Sequence, residues 1–79
     1  MNAYILIQCE AGKAADVISQ VSQLAGVSNA EALIGSYDVI VTAEAETIDE
    51  LGTMVVANVQ VVPGITRTQT CQVVHLSSS

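Results

Sequence analysis

Asp38 stands where a carboxylate needs a reason. It follows Leu33-Ile34-Gly35-Ser36-Tyr37 and heads the apolar run Val39-Ile40-Val41. Strands disfavour Asp, and apolar surroundings penalise an unpaired charge. A carboxylate in that place can receive a ligand's ammonium group. It can equally cap its own turn by accepting a nearby backbone N–H, or bond across a subunit interface. Gly35, first of the Gly35-Ser36 pair, suits a two-residue type II′ hairpin turn. Further on, Thr66, Thr68 and Thr70 line one face of an expected strand with hydroxyls, a pattern that also marks a plain solvated edge.

Other reactive side chains are few. His75 has no visible partner, and a surface or interface histidine is the plain reading. Cys9 and Cys71 have no neighbouring His or Cys at metal-ligand spacing, so two buried thiols in a reducing cytoplasm are expected; a regulatory disulfide between adjacent strands is the alternative. No Ser-His or Cys-His spacing suggests a nucleophile with a base, and no Gly-rich loop suits a phosphate. The expectation is a protein that is not an enzyme and carries no cofactor or metal.

The elements that hold these residues read in order. Residues 3–10 form a strand, apolar on both faces through its middle. Val17, Val21 and Leu24 share one face of a helix over 14–25, with Gly26 as its left-handed cap. Residues 27–34 form an edge strand with Ala30, Ala32 and Ile34 on one side and Asn29 and Glu31 on the other. Residues 37–45 form the strongest strand. Thr47-x-x-Glu50 is a capping box opening a helix that Pro63-Gly64 stops. Within it, Val55 to Val62 is rich in β-branched residues. Residues 65–76 make the last strand, and Ser77-Ser78-Ser79 a frayed tail.

The two halves echo each other: Tyr4-Ile5-Leu6-Ile7 corresponds to Tyr37-Asp38-Val39-Ile40, and Ala25-Gly26-Val27 to Pro63-Gly64-Ile65. Strand-helix-strand twice over predicts an α+β, ferredoxin-like βαββαβ fold, a four-stranded antiparallel sheet with two helices on one face. The other face is then bare. With 51% of its 79 residues hydrophobic, the chain has more apolar matter than so small an interior can hold. A second copy stacked sheet against sheet, as a two-fold dimer, is the simplest cover.

A net charge of −6, with Lys13 and Arg67 the only basic side chains, opposes direct nucleic-acid binding and attachment to anionic membranes. No stretch has the length of a transmembrane helix or the build of a secretory signal. One domain over 1–79, with a core at about 3–76, is expected.

Taken together, Gly35-x-Tyr37-Asp38 before an apolar strand, the helix beginning near Asp49-Glu50-Leu51, and Pro63-Gly64-Ile65-x-x-Thr68-x-Thr70 resemble the effector-binding domain of the leucine-responsive regulator (Lrp/AsnC) family. The resemblance covers residues 3–76 and is to the stand-alone form, without the N-terminal helix-turn-helix domain. It implies dimers assembled into octamers or decamers, with small molecules, typically amino acids, held between dimers. It also implies ligand-binding roles for Gly35, Ser36, Tyr37, Asp38, Thr68 and Thr70, with Asp38 on the ligand's α-amino group and backbone N–H groups on its carboxylate. Transcription would then be modulated in the cytoplasm, through full-length Lrp-type partners. Two alternatives stand beside this: an oligomerisation module with no ligand of its own, and a cofactor-free enzyme of the dimeric α/β-barrel type.

Overall fold

A computed structural model describes residues 1–77; of the expected tail, Ser78 and Ser79 lie outside the described residues. The elements run β1 (Asn2–Cys9), α1 (Ala14–Val21), β2 (Val27–Ala32), β3 (Val39–Glu44), α2 (Ile48–Thr53), a π-helical segment (Met54–Val59) and β4 (Ile65–Gln72). The strands form one antiparallel sheet in the order β2-β3-β1-β4. This is the ferredoxin-like α+β arrangement.

Strand alternation decides which side chains meet the helices. Ala3, Ile5 and Ile7 of β1 and Val39, Val41 and Ala43 of β3 are buried. All but Ala3, which packs with Ala45 and Leu51, lie beneath Val17 and Val21 of α1 and Met54, Val55 and Val59 of the second helical stretch. Burying an Ile or Val side chain contributes about 1.5–3 kcal/mol, so this central layer fixes the register. The alternate residues Tyr4, Leu6, Ile40 and Thr42 lie on the opposite, helix-free face, with Tyr4 44% exposed.

The expected internal echo is physical. Gly26 and Gly64 both have positive φ, +90° and +96°. The Gly26 carbonyl accepts Glu44 N–H at 2.7 Å, and the Gly64 carbonyl accepts Glu10 N–H at 2.8 Å. In each half the residue after the glycine donates back three positions, Val27 to Leu24 and Ile65 to Val62. The same turn therefore returns each helix to the sheet.

Boundaries differ from the sequence reading for local reasons. α1 ends at Val21 rather than near Ala25, because the chain tightens into three-residue steps, with Gln23 N–H on Gln20 O and Leu24 N–H on Val21 O. β2 ends at Ala32 and β4 at Gln72, short of Ile34 and Leu76. α2 starts at the expected cap, the Thr47 hydroxyl accepting Glu50 N–H at 3.0 Å, which is the Thr47 half of a capping box. It then widens into the π-helical segment, marked by Gln60 N–H on Val55 O. β-Branched residues crowd the preceding turn of a regular helix, and the wider turn lets Met54, Val55 and Val59 all reach the core.

Candidate functional site

The β2–β3 connection is longer than a two-residue turn. Leu33 N–H bonds Asp38 O at 2.8 Å, so four residues, Ile34 to Tyr37, form the loop. This corrects the type II′ expectation. The extra ladder pair holds Leu33 against Asp38 and pushes the turn outward. Gly35 has φ +149° with no atom within 4 Å of where a Cβ would lie.

Two side chains tie this loop across the helix-free face. Gln8 Nε2 donates to Ser36 O at 2.8 Å. The Tyr37 hydroxyl donates to Oε1 of Gln69 on β4, and Gln69 Nε2 approaches Cys71 Sγ at 3.9 Å. Gln8 pairs with Arg67 across β1 and β4, so a guanidinium-bearing residue sits on the strand next to the loop's tether. Gln8 and Gln69 escaped the sequence reading. Their sequence signal is weak: Gln8 follows the apolar run of β1, and Gln69 lies in a stretch, Thr66 to Thr70, in which every residue is polar.

Asp38 lies at the sheet end. Its Oδ2 accepts the Cys9 backbone N–H at 2.8 Å, while its own N–H bonds Ile7 O. Burial first, then the Asp38 charge and a hydrogen bond to Asp38, push the Cys9 thiol above its ordinary value of 9.0. Asp38 is thus engaged by a backbone donor from β1, not by the N–H groups of its own turn.

The threonines lie elsewhere. Thr68 and Thr70 pair with Ile7 and Ile5, whose side chains point into the core, so both threonines face the helix side of β4. The Thr68 hydroxyl accepts from Gln60 Nε2 at 2.9 Å. One chain therefore gathers Gly35, Ser36, Tyr37 and Asp38 at one end of the sheet and leaves Thr68 and Thr70 on its other face. Cys71 pairs with Tyr4 and Cys9 with Ile65. Five residues of β1 are about 17 Å, beyond the reach of a disulfide within the chain. Among the described residues no cluster of three or more His, Cys, Asp or Glu could hold a metal ion, and no helix is long and apolar enough to cross a membrane.

These features meet in a known class of regulatory domain. Residues 2–76 match the Lrp/AsnC ligand binding domain, and the chain belongs to that family. FFRP-DM1 is similar at 30% identity, with 87% of this chain and 92% of that one covered and a TM-score of 0.82. TTHA0845 from Thermus thermophilus shares the fold at 19% identity, covering 99% and 98%, with a TM-score of 0.89. The transcriptional regulator NMB0573 of Neisseria meningitidis, solved as a complex with L-Met, shares it at 20% identity and a TM-score of 0.83. There the match spans 94% of this chain and 49% of the regulator. No curated protein matches the chain.

Proposed function

We propose that this chain is a single regulatory domain that binds an amino acid at the Gly35–Asp38 loop and assembles into rings of sheet-to-sheet dimers, octamers or decamers. The observation that carries the reading is the loop itself. A glycine-containing turn is pinned over the helix-free face by Gln8 and Gln69, with a carboxylate at its base and Arg67 on the next strand but one. An amino-acid zwitterion needs an acceptor for its ammonium and donors for its carboxylate. Asp38 supplies the first; backbone N–H groups at Gly35, Ser36 and Tyr37, together with Arg67, supply the second. The L-Met complex of the neisserial regulator supports the ligand class. Thr68 and Thr70 join the pocket from a neighbouring subunit, since their own chain turns them to the other face. The domain works in the cytoplasm, performs no catalysis, and acts on transcription through full-length Lrp-type regulators.

A second reading is an assembly module without a ligand. It draws on the fact that Asp38 and Thr68 already have partners within the chain. Native mass spectrometry with and without the twenty amino acids separates the two. An even-numbered ring carrying one amino-acid mass per site, lost on Asp38→Asn, is the expected result. A ring that stays empty at millimolar amino acid moves the conclusion to the assembly module.

A further inference from the structure

We infer that the amino acid read by this domain carries an oxygen acceptor on its side chain, a carboxamide or a carboxylate, and that Gln60 sets this choice. The inference rests on the ligand-binding reading above and names the side-chain class of that site. Its basis is a polar cluster away from the loop, where β4 passes the end of the second helical stretch.

A cavity of about 320 Å³ opens there, lined by Gln60, Ile65, Thr66, Arg67 and Thr68. Four of the five are polar and none is acidic. Thr66 falls at the register shift between Gln8 and Cys9, so the β1–β4 pairing passes over it. An irregularity of this kind bends and twists its strand. Three consecutive side chains, which strict alternation would divide between two faces, therefore border one space at the sheet edge.

Gln60 ends the π-helical segment, held there by its own N–H on Val55 O at 2.8 Å. From that place its Nε2 donates to the Thr68 hydroxyl at 2.9 Å. A threonine hydroxyl has one proton to give and lone pairs to receive. With Gln60 donating into its oxygen, Thr68 is left to offer its proton to the cavity. It is a positioned donor. The Thr66 hydroxyl and the Arg67 guanidinium line the same space, so a side-chain carbonyl or carboxylate finds donors on several sides. An ammonium side chain meets Arg67 and no carboxylate. An aliphatic one strips water from these polar groups and leaves them unpaired.

Thr70 supplies the contrast. It lines a separate apolar groove of about 390 Å³ with Ile48, Gly52 and Val56 among others, the place where an aliphatic side chain would lodge. Arg67 borders the Thr68 cavity and not this groove. Because Arg67 and Thr68 are adjacent on β4, a strand that carries Thr68 to a ligand carries the guanidinium with it. Thr70 lies two residues, about 7 Å, further on.

Calorimetric titration of the native chain with single amino acids tests this. L-Glutamine, L-glutamate, L-asparagine or L-aspartate is expected to bind about tenfold or more tightly than L-leucine, L-methionine and L-lysine. Gln60→Glu puts a carboxylate where the amide donated, and that carboxylate takes the Thr68 proton itself. Gln60 is exposed and its bond to Val55 is made by the backbone, so the fold is expected to survive the change. The variant is expected to lose the preference and keep its affinity for L-leucine. Thr68→Ser should retain the preference and Thr68→Val should lose it. Tightest binding of L-leucine, L-methionine or L-lysine, or a Gln60→Glu chain with the native preference, overturns the inference and leaves the ligand-binding reading standing. A native chain that binds none of the twenty amino acids overturns both.

Discussion

The Asp38 carboxylate closes the gap that β3 leaves opposite Cys9: its Oδ2 takes the Cys9 backbone N–H at 2.8 Å, where a further residue of β3 would otherwise have offered a carbonyl. The side chain stands in for a piece of strand. Asp38→Ala leaves that part-buried donor unpaired and is expected to cost about 1–3 kcal/mol, read by urea unfolding. Asp38→Asn keeps an oxygen acceptor and should cost less than half as much. The two variants separate stability from recognition, because Asn preserves the strand end while removing the charge that an ammonium ligand needs. Equal destabilisation by Asn and Ala would show that charge, not the hydrogen bond, holds the strand end.

The same carboxylate makes Cys9 a poor thiolate. Burial and the facing negative charge raise the thiol above 9.0, so the folded chain favours the neutral form. A group raised on folding contributes stability below its unfolded value and loses it as pH climbs through the folded one. Stability is therefore expected to fall above pH 9.0 in the native chain and to stay flatter in Cys9→Ala. Alkylation of Cys9 by iodoacetamide should begin at lower pH in Asp38→Asn than in the native chain. No difference between the two would remove Asp38 from the account.

Gly26 is more demanding than its echo in the sequence implies. At φ +90° an added Cβ would lie 2.8 Å from Glu44 O, a backbone atom, and 2.6 Å from Met54 Cε. The methionine can move; the β3 backbone, bonded to Gly26 O through Glu44 N–H, cannot without breaking the turn. Gly26→Ala is expected to cost roughly 2–4 kcal/mol, combining left-handed strain with the clash. Gly12 has φ +79° with nothing within 4 Å, so Gly12→Ala should cost only about 1–2 kcal/mol. Equal losses in thermal unfolding would mean that strain alone governs both sites.

The contrast between these glycines shows what the sequence could carry. The order of elements, the Thr47 capping box and the two Gly turns are local signals, each written within a few residues, and the fold follows from them. The faces of β1 and β3 follow from alternation once the strands are recognised. What lay beyond reach depends on pairing between distant segments. The four-residue loop exists because Leu33 bonds Asp38. Asp38 meets Cys9, not its own turn, because β1 runs two residues, Gln8 and Cys9, past the start of β3. Thr68 and Thr70 part company with Tyr37 because register puts them opposite Ile7 and Ile5. The π-helical segment reflects packing of Met54, Val55 and Val59 together, which a run of β-branched residues hints at without specifying.

Tyr37 tests whether the loop's posture matters apart from its chemistry. Its hydroxyl reaches over β1 to Gln69, while its ring is half-buried against the sheet. Tyr37→Phe keeps the ring and removes one neutral hydrogen bond, so stability is expected to fall by no more than about 1 kcal/mol. Gln8→Ala releases Ser36 O from the second tether and should likewise cost little alone. If the tethers preorganise the loop, the double variant will unfold near the native temperature yet show faster exchange at Ser36 and Tyr37, with weaker amino-acid binding measured by calorimetry. Affinity unchanged in the double variant would mean that the ligand itself orders the loop, and that Gln8 and Gln69 serve only the sheet face.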